Sequence, residues 1–263
     1  MRHTALTCVV LAAVVVLSQS DAETQGRGAE AQAPPPSPQA AAPIDLTGYW
    51  VAIVSEDWRW RMVTPPKGDY ASVPLNDAGR KVADTWDISK DGRCEAYGAP
   101  ALLRMPTRLR ITWESSSILK IDTDAGQQTR RLLFDKSRQP PAARSLQGLS
   151  LAEWERPARA GGGGGGGGRG GGPQTGPAPG ANLKVLTTRL TGGWLRKNGV
   201  PYSEEAVIAE YFDRFAAPNG DEWLAVTTIV TDPRYLNQDF VTSSHFKKEV
   251  DGSKWSPSPC KAG

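Results

Sequence analysis

Acid–base chemistry in this 263-residue chain would have to run through one imidazole, because only two histidines occur and His3 sits beside an amino-terminal apolar segment. The other, His245, lies in "VTSSHFKK". Turned inward near Glu210 or Asp57, it can act as a general acid or base while Arg59 or Arg61 steadies an oxyanion. That arrangement suits a cofactor-independent isomerase, lyase or cyclase. A lone histidine is more often structural or exposed, so the set His245, Glu210, Asp57, Arg59 and Arg61 is catalytic only if the protein is an enzyme. Other chemistries are disfavoured. One imidazole cannot build a zinc site of two or three histidines. "QGLSLA" (147–152) lacks the second glycine of a nucleophile elbow, which leaves Ser150 as a strand residue. "DTDAGQQTRRLL" (122–133) opens like a calcium loop, yet Gly126 comes one place early and Leu133 stands where the closing glutamate belongs. The polyglycine run does not follow the strand-to-helix spacing of a nucleotide fingerprint. No metal and no cofactor are expected.

The stretch "EDWRWRMV" (56–63) is the other chemical candidate. Read as part of a strand over 49–63, it alternates, so Trp58 and Trp60 share a face with Trp50 while Asp57, Arg59 and Arg61 share the opposite one. Inward arginines need partners, because unpaired buried charge is costly; Glu210, Asp232 and Glu114 are available. Inward tryptophans would instead line an aromatic pocket, with Trp50, Trp58, Trp60, Tyr211 and Trp223 as ligand-binding candidates. A solvated charged face on an edge strand is the bland alternative.

These residues need elements to hold them. Alternating or β-branched and aromatic stretches predict strands over 49–63, 108–114, 118–123, 128–134, 150–155, 183–190, 222–231 and 241–249. "DAG" (124–126) and the Asn219-Gly220 pair supply turns. "SEEAVIAEYFDRF" (203–215) carries both helical spacing and strand character; its run into the Asn-Gly turn favours a strand. "NDAGRKVADTW" (76–86) predicts a short helix capped at Asn76 or Asp77. The expected architecture is mostly β: an antiparallel lipocalin-like barrel, or alternatively a β-sandwich, with one or two short helices.

Residues 1–22 read as a cleavable signal peptide, with Arg2, an apolar run too short to span a bilayer, and small residues at Ser20 and Ala22. Residues 23–43 are rich in Pro and Ala without bulky apolar side chains, a disordered tether by composition. A single domain over 44–263 follows. It carries a Gly-rich insertion at 156–182, read as an expanded surface loop, because lengthening a loop costs only about 0.6 kcal/mol per doubling. Cys94 and Cys260 remain after cleavage, in a compartment where disulfides persist, and are expected to pair. The closed loop would stabilise the fold by about 4 to 5 kcal/mol in the chain-entropy model. The formal charge of +3 points to no nucleic acid, and nothing predicts a stable membrane anchor.

The order "DLTGYW" (45–50), "CEAYGAP" (94–100), "RRLLFD" (130–135), "QGLSLAEWE" (147–155), "LKVLTTRL" (183–190), "NGVPYSE" (198–204), "TDPRYL" (231–236) and a terminal cysteine resembles a large, uncharacterised family of secreted bacterial proteins. "GYW" (48–50) is also similar to the Gly-x-Trp that opens the first strand of lipocalin-like barrels. The expectation is therefore a periplasmic or secreted lipocalin-like barrel that binds a small hydrophobic or aromatic molecule in its cavity. The alternatives are the enzyme described above and a non-catalytic surface or assembly protein.

Overall fold

The computed structural model describes residues 34–87, 89, 94–138, 143–155 and 182–260. The signal-peptide reading of 1–22, the tether up to residue 33 and the Gly-rich insertion up to residue 181 lie outside them. Chain order is β1 (Gly48–Ile53), α1 (Trp58–Arg61), α2 (Asp77–Ala83), α3 (Ala99–Leu102), β2 (Arg108–Ser115), β3 (Ile118–Thr123), β4 (Ala125–Gly126), β5 (Thr129–Leu133), β6 (Leu149–Glu155), β7 (Asn182–Thr188), β8 (Gly193–Arg196), β9 (Val200–Tyr202), β10 (Val207–Ala216), β11 (Glu222–Thr231), β12 (Phe240–Glu249) and β13 (Ser258–Pro259).

Nine strands close into a barrel in the order β1-β12-β11-β10-β7-β6-β5-β3-β2. The mostly β, closed-barrel architecture expected from the alternating segments is therefore present. The count has a topological consequence: strand directions cannot alternate all the way round an odd ring. The mismatch falls between β5 and β6, which run parallel and share only the pairs Leu132↔Ser150 and Leu133↔Leu151. The long β10–β11 hairpin, turning at the predicted Asn-Gly, is paired over its full length from Val207↔Thr231 to Ala216↔Glu222. The ambiguous segment at 203–215 is thus a strand from Val207 onward. The predicted helix is α2, with the Asn76 side chain accepting from the Gly79 amide at 2.8 Å.

The predicted strand over 49–63 needs correction. It stops at Ile53, whose partner on β12 is His245, while its pairing with β2 ends at Val51↔Arg108. Beyond those residues β2 offers no further partner, and the chain turns away from β12 although that strand runs on to Phe240. Asp57 then takes a left-handed backbone (φ 53°) and residues 58–61 form the single helical turn α1. Trp58 and Trp60 consequently do not share a sheet face with Trp50.

The two barrel ends differ. At the entry end, where β1 begins, Trp113, Phe134 and Trp154 stack with ring centroids 5.5 and 5.3 Å apart. Trp154 Nε1 donates to the Pro38 carbonyl and the Gln39 amide to that of Ser116. Residues 36–43, assigned by composition to the tether, are thus laid across this end, because the aromatic platform gives a proline-rich segment something to pack on. The opposite, loop end is covered by α2, α3 and the β8–β9 hairpin, whose Leu195, Val200 and Tyr202 join Ala99, Ile208, Val230 and Phe240 in a second core. The expected Cys94–Cys260 disulfide is present, with Cα atoms 5.6 Å apart. It ties the chain's end to the turn preceding α3. Among the described residues no helix is long and apolar enough to cross a membrane.

Candidate functional site

The barrel lumen is lined by alternate residues of each strand and is filled by them. Trp50, Leu109, Ile111, Leu119, Ile121, Leu132, Leu183, Phe212 and Phe246 are all almost wholly inaccessible. Trp50 points inward and donates to the Leu46 carbonyl at 3.0 Å. Midway up, one polar layer interrupts this core. Arg130 forms a fork with Glu210, Nη1 to Oε1 at 2.8 Å and Nη2 to Oε2 at 2.6 Å, and both side chains have no exposure. Arg130 Nη2 also donates to Ser150 Oγ and Thr187 Oγ1, which bond to each other at 2.8 Å. One arginine on β5 therefore reaches across the parallel junction to β6, β7 and β10.

The aromatic candidates do not converge. Trp50 is in the lumen; Tyr211 and Trp223 alternate with the inward Phe212 and Leu224 and so face outward. Trp58 is 62% exposed. Trp60 is half-buried, with the Arg196 guanidinium 4.7 Å from its ring centroid and that of Arg59 at 5.4 Å. Strand parity separates the first three, and the chain's departure from the sheet after Ile53 separates the last two.

The acid–base candidates divide likewise. Glu210 is held in the lumen by Arg130. The other four gather at the loop end: His245 Nδ1 lies 2.8 Å from Glu56 Oε1, Glu56 Oε2 lies 3.8 Å from Arg61, and Asp57 accepts from Arg104 at 2.8 Å. Arg59 is exposed and paired with Asp69 at 2.8 Å. Burial pushes the Glu56 carboxyl up, but its own backbone amide and the neighbouring His245 outweigh this and hold it below its usual range.

At the loop end three arginines converge beneath α1. Arg61, Arg104 and Arg196 are only 4%, 6% and 3% exposed. They surround a small pocket between α1, α3 and the β8–β9 hairpin, floored by Ala101, Met105 and Leu195 with Trp60 at one wall. About 10 Å³ is free at its centre, room for one water-sized body. Backbone carbonyls hold the guanidiniums in place: Arg61 Nε donates to Arg104 O at 2.8 Å and Arg196 Nη1 to Ala71 O at 2.6 Å. Arg61 Nη2 and both Nε and Nη2 of Arg196 have no hydrogen-bond partner among the described residues. Burial, then the neighbouring Arg104 charge, lowers Arg61 and Arg196 to about 10. Both remain cationic at neutral pH, so the pocket concentrates positive charge and presents unmet donors.

Sequence reasoning missed Arg104, Arg196, Glu56 and Arg130. The local signal was an arginine set among apolar neighbours, "ALLRM" (101–105) and "GGWLR" (192–196). No group of three or more His, Cys, Asp or Glu side chains able to hold a metal occurs among the described residues. Comparison with protein-family models, with curated proteins and with solved structures finds no match.

Proposed function

We propose that this chain is an exported binding protein, periplasmic or secreted, that uses its barrel as a rigid scaffold for a small-molecule site at the loop end. The ligand combines an anionic group with an aromatic or apolar body. One observation carries this reading: Arg61 and Arg196 are each more than nine-tenths buried yet leave three donor nitrogens unmet. Buried donors without acceptors are costly, and clustered guanidiniums raise that cost by mutual repulsion. A ligand oxyanion relieves both, and planar guanidinium forks suit its recognition. Because the free space holds only a water-sized body, the anionic group would enter as α1 shifts, and the apolar body would lie outside along α1 and the residues after it, where Trp58, Met62 and Val63 are exposed. The Cys94–Cys260 bond suits a compartment that maintains disulfides.

Trp60 beside the guanidiniums gives an intrinsic reporter. Tryptophan emission of the oxidised chain is titrated with naphthyl phosphate and naphthalene sulfonate, and in parallel with the neutral naphthalenemethanol. The anionic probes are expected to give a saturable change that weakens at least about tenfold in Arg61→Met and in Arg196→Met, the loss typical of one charge-assisted hydrogen bond. Equal binding of the neutral probe, or variants indistinguishable from the parent, would refute the assignment.

A further inference from the structure

Asp57 occupies an unusual position in this pocket. Its backbone is left-handed, a conformation uncommon for residues other than glycine, and no side-chain hydrogen bond caps the α1 turn it precedes. Its carboxylate instead reaches Arg104 Nη2 at 2.8 Å, with the side chain 31% exposed. Its charge acts favourably on both Arg61 and Arg196, whereas Arg104 acts on both unfavourably. Two carboxylates thus stand near three guanidiniums: that of Glu56 lies 3.8 Å from Arg61 without a hydrogen bond to it, and that of Asp57 hydrogen-bonds only Arg104. Asp57 brings two acceptor oxygens, and three donor nitrogens remain unmet.

Resting on the binding reading above, we propose that Asp57 is a built-in stand-in for the ligand's anionic group, and that the ligand displacing it bears a dianionic phosphate group. A tethered carboxylate competes at an effective concentration in roughly the millimolar range. A carboxylate from solution offers the same two oxygens and the same single charge, so it gains little by exchange. A phosphate monoester brings about −1.5 to −2 charges at neutral pH and three acceptor oxygens, each able to take more than one hydrogen bond, enough to serve the three donor nitrogens of Arg61 and Arg196 that Asp57 leaves empty and the Arg104 nitrogen its displacement uncovers. Displacement also releases the Asp57 side chain from Arg104, its one hydrogen-bond partner in the pocket, so ligand entry is coupled to movement of that side chain.

Calorimetric titrations of the full oxidised chain with phenyl phosphate, inorganic phosphate and benzoate test this, using the parent, Asp57→Asn and Asp57→Gly. Asparagine and glycine both accept the left-handed backbone, so either variant keeps the measurement interpretable if the other folds poorly. The parent is expected to bind phenyl phosphate at least about tenfold more tightly than benzoate, and removing the competing carboxylate to tighten phenyl phosphate binding by about tenfold more. Inorganic phosphate binding as well as the monoester would assign the site to free phosphate; weaker binding would assign it to a phosphorylated molecule. Benzoate equal to phenyl phosphate overturns the dianion assignment. Variants that bind phenyl phosphate no better than the parent overturn the stand-in role even where Arg61 and Arg196 still prove necessary. No binding of any anion by any of the three proteins overturns the binding reading as well.

Discussion

Replacing Glu210 by Gln separates two accounts of the barrel's polar layer. In the native chain the carboxylate is wholly buried and takes two charge-assisted bonds from Arg130. Glutamine keeps the volume and one acceptor but leaves the guanidinium charge in an apolar tube. Breaking such a buried pair from one side costs about 3 to 5 kcal/mol. For a domain of this size that lowers Tm by roughly 6 to 20 °C, at about 2 to 4 °C per kcal/mol. The double replacement Arg130→Met with Glu210→Leu behaves differently: it removes both charges, fills the space, and leaves Ser150 and Thr187 bonded to each other. Its stability should fall near that of the parent or exceed it by about 1 to 4 kcal/mol. Equilibrium urea unfolding of the parent, Glu210→Gln, the single variants Arg130→Met and Glu210→Leu and the double variant, disulfide intact, measures the coupling directly. Glu210→Gln within about 1 kcal/mol of the parent, or a double variant as unstable as the two singles added, would refute this account.

Reduction, or Cys94→Ser, opens a loop of 166 residues and should remove up to about 5 kcal/mol, seen as a large Tm drop in reductant that the serine variant no longer shows. Gly199 has φ +78° and a Cβ there would lie 2.3 Å from Trp86 Cβ; Gly199→Ala should destabilise by at least about 2 kcal/mol in urea unfolding, from backbone strain and overpacking together. Hydrogen bonds from Arg131, Lys136 and Arg214 hold Glu114, Glu153 and Glu222 below the usual carboxylate range. Their contribution is complete above the unfolded value of about 4.3 and is lost as pH falls through the lower folded values. Tm should therefore decline as pH drops below about 4, and less steeply in Glu222→Gln; an unchanged slope in that variant would contradict the pairing.

The sheet was largely legible because strand alternation is a local property, and the segments from 108 to 134 and from 222 to 249 display it. "EDWRWRMV" alternates as cleanly and is not a strand: β2 supplies no partner before Arg108, and the left-handed Asp57 turns the chain away from β12, which itself runs on to Phe240. "TRRLL" shows the same limit for the interior: adjacent arginines cannot reveal which faces in. Arg130 went to the lumen; Arg131 went out to Glu114. The arginine pocket was illegible for a related reason, its members coming from positions 61, 104 and 196, which only the closed barrel brings together. The β8–β9 hairpin turns at Asn198-Gly199, the same chemistry that marked Asn219-Gly220.

The odd strand count leaves the cylinder with one thin stave joint, spanned by two backbone pairs and by the Arg130 side chain. If the wall ever splits, it should split there first, baring the facing margins of β5 and β6. Such bare margins recruit foreign chains, so breaking the guanidinium fork from one side would convert a folding defect into an aggregation defect.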